Sequence, residues 1–81
     1  MLQDKVIVIV GATGGIGATL TRQLAPTGAR LVLAARNGEN LAALANELRA
    51  NVLIVPTDIT QPQQVEALIQ RTIAQFGQID V

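Results

Sequence analysis

Five β-branched residues in a row, Val6-Ile7-Val8-Ile9-Val10, run straight into Gly11-Ala12-Thr13-Gly14-Gly15-Ile16-Gly17. No other stretch constrains the chain so tightly. Branching at Cβ disfavours a helix, and a run without polar alternation suits a strand covered on both faces, as in a parallel sheet. Four glycines in the next seven residues are more than a plain strand-to-helix turn requires. Each has a task in a turn built around a phosphate. Gly11 permits a sharp exit from the strand. Gly15 lets an anion approach the backbone with no Cβ in the way. Gly17 lets the following helix pack closely on the strand. That helix aims its free N–H groups and the positive end of its dipole at the same spot, which favours a pyrophosphate.

The rest of the chain is punctuated by Gly and Pro. Ile16, Leu20 and Leu24 recur every fourth residue, a helix stripe that Pro26 and Gly28 end. Arg30–Ala35 is a second short apolar run, closed by Arg36-Asn37-Gly38. Leu41, Leu44, Ala45 and Leu48 mark a second helix, with Glu39, Asn40, Asn46, Glu47 and Arg49 on its wetter side. Asn51–Val55 is a third strand, stopped by Pro56. Thr60 is the expected N-cap of a third helix, with Gln63 completing a capping box and Pro62 in the first turn. Val65, Leu68, Ile69, Thr72, Ile73 and Phe76 are its expected buried face, and Gly77 its C-cap. Ile79-Asp80-Val81 opens another apolar run.

This β-α-β-α-β-α order predicts a single α/β domain over residues 1–81, with parallel strands, right-handed crossovers and helices on both sheet faces. An all-helical bundle would have to bury the β-branched runs in helices.

Composition removes whole classes of function. With 49% hydrophobic residues the chain is too apolar to be disordered, and with zero net charge it is too neutral to grip nucleic acid. It has no Cys and no His, which excludes disulfides and the usual zinc sites. The apolar stretch near the start is far shorter than the roughly 20 residues of a membrane span, so a cytoplasmic protein with no membrane partner is expected. Ser and Tyr are also missing. A Ser nucleophile, a Tyr acid or a His base therefore cannot come from these residues. A domain of this size buries only roughly 60% of its unfolded surface, so stability is expected to be thin.

The end of the second strand bears on which dinucleotide fits. In units of this kind an acidic residue about 20 positions past the glycines holds the ribose 2′-hydroxyl. Here that place falls near Ala35, followed by Arg36 and Asn37. Ala removes a charge that would repel a 2′-phosphate, and Arg supplies a planar cation that can take it bidentately. NADP(H) is thus expected over NAD(H). The plain alternative makes Arg36 a solvated charge at a strand end. Asp58, after the third strand, either caps its own turn through an Asx bond or accepts from an adenine amino group. Arg22, Arg49 and Arg71 read as solvated helix faces. A nucleotide-binding domain of another class, such as a methyltransferase, would want an acidic end to the second strand, which Ala35-Arg36 does not provide.

Four separated segments together resemble the short-chain dehydrogenase/reductase family. They are Val10–Gly17, Leu31–Arg36, Thr57-Asp58-Ile59-Thr60 and Phe76-Gly77-Gln78-Ile79-Asp80-Val81. The resemblance implies a Rossmann-like three-layer fold and an oxidoreductase using NADP(H). It implies a cofactor loop of Gly11, Thr13, Gly14, Gly15, Ile16 and Gly17. It implies an NADP-selecting Arg36 with Asn37 beside it, and an adenine contact from Asp58 with the Ile59 backbone. Val10 departs from the family's usual Thr, which braces the loop. Around Gly14 there is no basic residue or Ser of the kind many NADP-preferring members carry, which leaves 2′-phosphate recognition to Arg36 and Thr13. The family continues with the rest of a fourth strand, an Asn-Ala-Gly segment and a Ser–Tyr–Lys set. None of these follows here, and Lys5 is the one Lys. The expectation is an N-terminal NADP(H)-binding half truncated at the start of the fourth strand, inactive alone, with no catalytic residue and no metal ligand. The alternative is a structural or self-assembling fragment. In it the open edge of the first strand pairs with a second copy or with a missing C-terminal half.

Overall fold

The computed structural model describes residues 3–48 and 52–81. Strand β1 (Val6–Val10) leads into helix α1 (Gly15–Leu24), extended by a short 3₁₀ turn at Ala25–Thr27. Strand β2 (Arg30–Ala35), helix α2 (Gly38–Leu48), strand β3 (Val52–Pro56) and helix α3 (Pro62–Phe76) follow. The three strands form one parallel sheet in the order β1-β2-β3, with Val8 opposite Val32 and Leu33 opposite Ile54. The alternating order read from the sequence is the order found. Asn51 and Arg49 lie outside the described residues, and so do the expectations that fall on them.

Alternate residues of a strand face opposite sides of the sheet, and here both sides are covered. On one, Ile7, Ile9, Leu31 and Leu33 pack with Leu41 and Leu44 of α2 and with Ala18 and Leu24 of α1. On the other, Val6, Val32, Ala34 and Val55 pack with Leu68 and Phe76 of α3. The central strand β2 is buried from Leu31 to Ala34. Phe76, the single aromatic residue, lies under the Arg30 guanidinium at 5.9 Å and fastens the end of α3 to the start of β2. Among the described residues no helix is long and apolar enough to cross a membrane.

Three expectations need correcting. The inward face of α1 is not the Ile16–Leu20–Leu24 stripe. Ile16 is 89% exposed and Leu20 is also exposed, while Thr21 is fully buried and Gly17, Ala18 and Leu24 are half-buried. The close approach of Gly17 to the loop dictates which side of the helix turns in. Thr21 satisfies its hydroxyl by donating to the Gly17 carbonyl at 2.7 Å. In α3 the same correction is smaller: Leu68 and Thr72 are buried and Val65 and Phe76 half-buried, but Ile69 and Ile73 are exposed. Thr60 does not cap α3. The N-cap is Gln61, with no side-chain bond, because the Thr60 hydroxyl donates to Asp58 instead. Pro62 in the first turn and Gly77 as C-cap stand as expected, Gly77 at φ 79 with its N–H on the Ile73 carbonyl.

The free edge of β1 also differs from expectation. It is not wholly unpaired: Val8 donates its N–H to the Val81 carbonyl, and the Val6 carbonyl accepts from Asp80 and Val81. The Asp80 side chain completes the clamp by accepting the Val6 N–H at 2.8 Å and an amide proton of Gln78. The Val6 N–H, aided by Gln78, holds the Asp80 carboxyl below its ordinary 3.8. Since the folded group binds its proton less tightly than the unfolded one, its contribution to stability is complete above about that ordinary value. It is lost as pH falls through the folded value. Asp80→Asn is therefore expected to flatten the acid limb of the melting temperature against pH. Melting curves followed by circular dichroism would check this, and parallel acid limbs for the two proteins would contradict it.

Candidate functional site

Parallel strands end on the same side of the sheet. The turns after β1, β2 and β3 therefore meet along one rim, outside the carboxyl ends of the strands.

The turn after β1 is held by its own backbone. Gly11 has φ +74, a conformation L side chains rarely adopt. The N–H groups of Gly11 and Ala12 both donate to the Ala34 carbonyl, at 2.8 and 3.2 Å, which ties the loop to the end of β2. Gly14 donates to the Gly11 carbonyl at 3.0 Å. A Cβ on Gly17 would sit 2.2 Å from that same oxygen, whereas a Cβ on Gly15 would meet nothing within 4 Å. Two glycines two positions apart thus do opposite things: one closes the backbone on itself, the other keeps a space open. Helix α1 starts at Gly15 with Gly14 as N-cap and no side chain satisfying its first N–H groups. Ile16 projects from this first turn into solvent.

At the end of β2, Ala35 is half-buried and Arg36 projects outward, its side chain 75% exposed. The Nε of Arg36 lies 3.8 Å from Oδ1 of Asp58. Asn37 has a role that the sequence pattern alone did not suggest. Its Oδ1 accepts the N–H groups of Glu39 and Asn40, at 3.0 and 3.1 Å, and so caps α2. The signal was available, an Asn just ahead of an apolar-periodic segment.

The turn after β3 is anchored where Thr57 donates its N–H to the Ala35 carbonyl at 2.8 Å. Asp58 makes the Asx bond, its Oδ1 accepting the N–H of Thr60 at 3.0 Å and the hydroxyl at 2.6 Å. Its own N–H donates to Gln64 Oε1. The Thr60 hydroxyl and N–H, in that order, hold the Asp58 carboxyl below its ordinary value, so the group is ionised at neutral pH. Ile59 beside it is exposed. Thr13 lines a hollow between α1 and α2 with Arg22, Asn40 and Glu47, while Arg36, Asn37, Gly38 and Glu39 line another. Arg22 is more than a solvated charge: its guanidinium grips the Glu47 carboxylate across the two helices, with Nε to Oε2 at 2.6 Å.

The rim therefore carries a glycine loop with an uncapped helix start, a strand end bearing a cation, and an ionised carboxylate next to that cation. Comparison with known proteins gives the constellation a family. The family model for short chain dehydrogenase matches residues 5–81. An uncharacterised oxidoreductase of Staphylococcus aureus (strain USA300) is 43% identical over 82 residues, covering 100% of this chain and 36% of the relative. A short-chain dehydrogenase/reductase from Burkholderia phymatum, solved in complex with NAD, superposes with a TM-score of 0.91 at 36% identity, over 96% of this chain and 29% of that one. An actinorhodin polyketide ketoreductase variant solved with NADPH superposes with a TM-score of 0.90 at 30% identity, over 95% of this chain and 31% of that one. The chain spans about a third of the length of these relatives. With its Rossmann-like sheet and glycine loop, it belongs to the short-chain dehydrogenase family.

Proposed function

We propose that the chain is a cytoplasmic NADP(H)-binding unit of a short-chain oxidoreductase. The observation that carries the choice of cofactor is Ala35-Arg36 at the end of β2. Residue 35, where a unit of this kind carries the carboxylate that holds a ribose 2′-hydroxyl, is alanine, and an exposed guanidinium follows it. The open space at Gly15 and the uncapped start of α1 fit a pyrophosphate on the backbone N–H groups of residues 15–17. In this reading Gly11, Thr13, Gly14, Gly15, Ile16 and Gly17 form the loop around that group. Arg36, beside Asn37, takes the 2′-phosphate, and Asp58 with the Ile59 backbone borders the adenine. The nicotinamide cofactor supplies or accepts a hydride when bound. The residues present here bind and orient it. With no Ser and no Tyr among them, the reading assigns them binding and not turnover.

Structures similar to this chain have been solved with NAD and with NADPH, so the test has to compare the two. Charge-assisted hydrogen bonds to a phosphate are worth about 1.5–3 kcal/mol, or roughly 10- to 100-fold in affinity. Arg36→Ala is expected to weaken NADP by that factor and to leave NAD within about threefold. Titration followed by NMR, with amide shifts at Gly11–Gly17 as the probe, measures both. Equal affinity for NADP and NAD in the unmodified chain overturns the choice of NADP.

A second reading has two copies meeting along β1 and α3. It is favoured by an apolar groove there, to which the exposed Val10, Ile69 and Val81 contribute. Sedimentation velocity over a concentration series is expected to show a growing dimer fraction. A monomer at every concentration removes this reading.

A further inference from the structure

The cation at the end of β2 does not stand alone. Asp58 reaches it from the neighbouring turn, with Oδ1 at 3.8 Å from the Arg36 Nε. The two positions are brought together by the sheet itself. Ala35 pairs with Pro56 in register, and the Thr57 N–H on the Ala35 carbonyl carries that pairing into the turn. The carboxylate is not free to swing away. Its Oδ1 is held by the N–H and the hydroxyl of Thr60, and the backbone of Asp58 is held by Gln64. Arg36, by contrast, is the less constrained partner, with three quarters of its side chain exposed and this carboxylate as its ionic contact. A fixed anion therefore stands beside a movable cation at the place where a 2′-phosphate would compete for it.

We infer that Asp58 restrains the preference for a 2′-phosphate by competing with that phosphate for the Arg36 guanidinium. The inference rests on the reading of Arg36 given above and adds a specificity-tuning residue to it. Asp58 acts here through Arg36 and is a positioning residue. The contact is longer than a hydrogen bond and exposed to water. Competition of this kind shifts a binding equilibrium by up to about fivefold and fades as salt screens it.

Asp58→Asn removes the charge and keeps an oxygen that can accept from Thr60, so the turn survives the substitution. The readout is the ratio of NADP affinity to NAD affinity. Both ligands carry the same adenine, so any change at an adenine contact, or any general loosening of the turn, moves the two affinities together and leaves the ratio alone. The ratio is expected to rise about two- to fivefold at low salt, to rise less at high salt, and not to rise when Arg36→Ala is already present. An unmodified chain without NADP preference overturns the reading of Arg36. In a chain that prefers NADP, an unchanged or lower ratio in Asp58→Asn overturns the restraint by Asp58. So does a rise that persists in the Arg36→Ala background.

Discussion

Gly17→Ala is expected to destabilise the chain by about 2–3 kcal/mol, although alanine is the better helix former. The added Cβ falls 2.2 Å from the Gly11 carbonyl oxygen, 3.0 Å from the Gly11 carbonyl carbon and 3.1 Å from the Ala12 Cα. All three are backbone atoms, so no rotamer change relieves the contact. Gly11 cannot yield easily either. Its own N–H is bonded to the Ala34 carbonyl, and its carbonyl accepts from Gly14. The helix has to move off the strand, which opens the packing of Ala18 and Leu24 against Ile7 and Ile9. The roughly 1 kcal/mol that Gly-to-Ala gains in a helix interior offsets part of this and does not reverse it. Small domains hold about 0.05–0.15 kcal/mol of stability per residue, so the loss is a large fraction of the whole. With a urea slope near 1 kcal/mol per molar, the unfolding midpoint should fall by about 2–3 M. Gly15→Ala, whose Cβ meets nothing, is the internal control and should leave the midpoint in place or raise it. A midpoint for Gly17→Ala within about 0.5 M of the unmodified chain would contradict the packing argument.

The same loop shows what could be read from the sequence and what could not. Glycine at residue 11 and at residue 17 could be interpreted in advance because each answers a local demand, a left-handed turn and a close approach. The strands were equally legible, since a run such as Val6–Val10 has few other uses. What the sequence did not disclose was set by contacts from outside the segment concerned. A period of four residues along α1 indicates a helix and not which side of it turns inward. The approach of Gly17 to Gly11 decides that and leaves Ile16 in solvent. Thr60 resembled an N-cap only while Asp58 was considered separately, and the carboxylate two residues earlier takes its hydroxyl. The pairing of Val6 with Asp80 spans 74 positions along the chain, beyond any local pattern. At the candidate site the residue types were legible, but the juxtaposition of Arg36 with Asp58 was not, because it arises from the register of β2 on β3.

Gly15→Asp is expected to abolish dinucleotide binding while leaving the fold intact, the reverse of the effect at Gly17. The position has room, since a Cβ there would meet nothing within 4 Å. An acidic residue in the first turn of α1 also interacts favourably with the helix dipole, by about 0.3–1 kcal/mol. No acidic residue occupies that turn now. For a pyrophosphate the same change is severe. A carboxylate about 4 Å from an anion costs about 1 kcal/mol in water and about 4 kcal/mol at the effective dielectric of a protein surface, and the diphosphate carries two charges. Affinity should therefore drop by at least about 30-fold. The loss should be the same for NADP and NAD, because both present the same diphosphate to the loop. This separates the loop from the end of β2, where Arg36→Ala should weaken NADP alone. If Gly15→Asp keeps its melting temperature and still binds NADP within about threefold of the unmodified chain, the phosphate does not sit on the start of α1. The open space at Gly15 would then have to serve the turn and not a ligand.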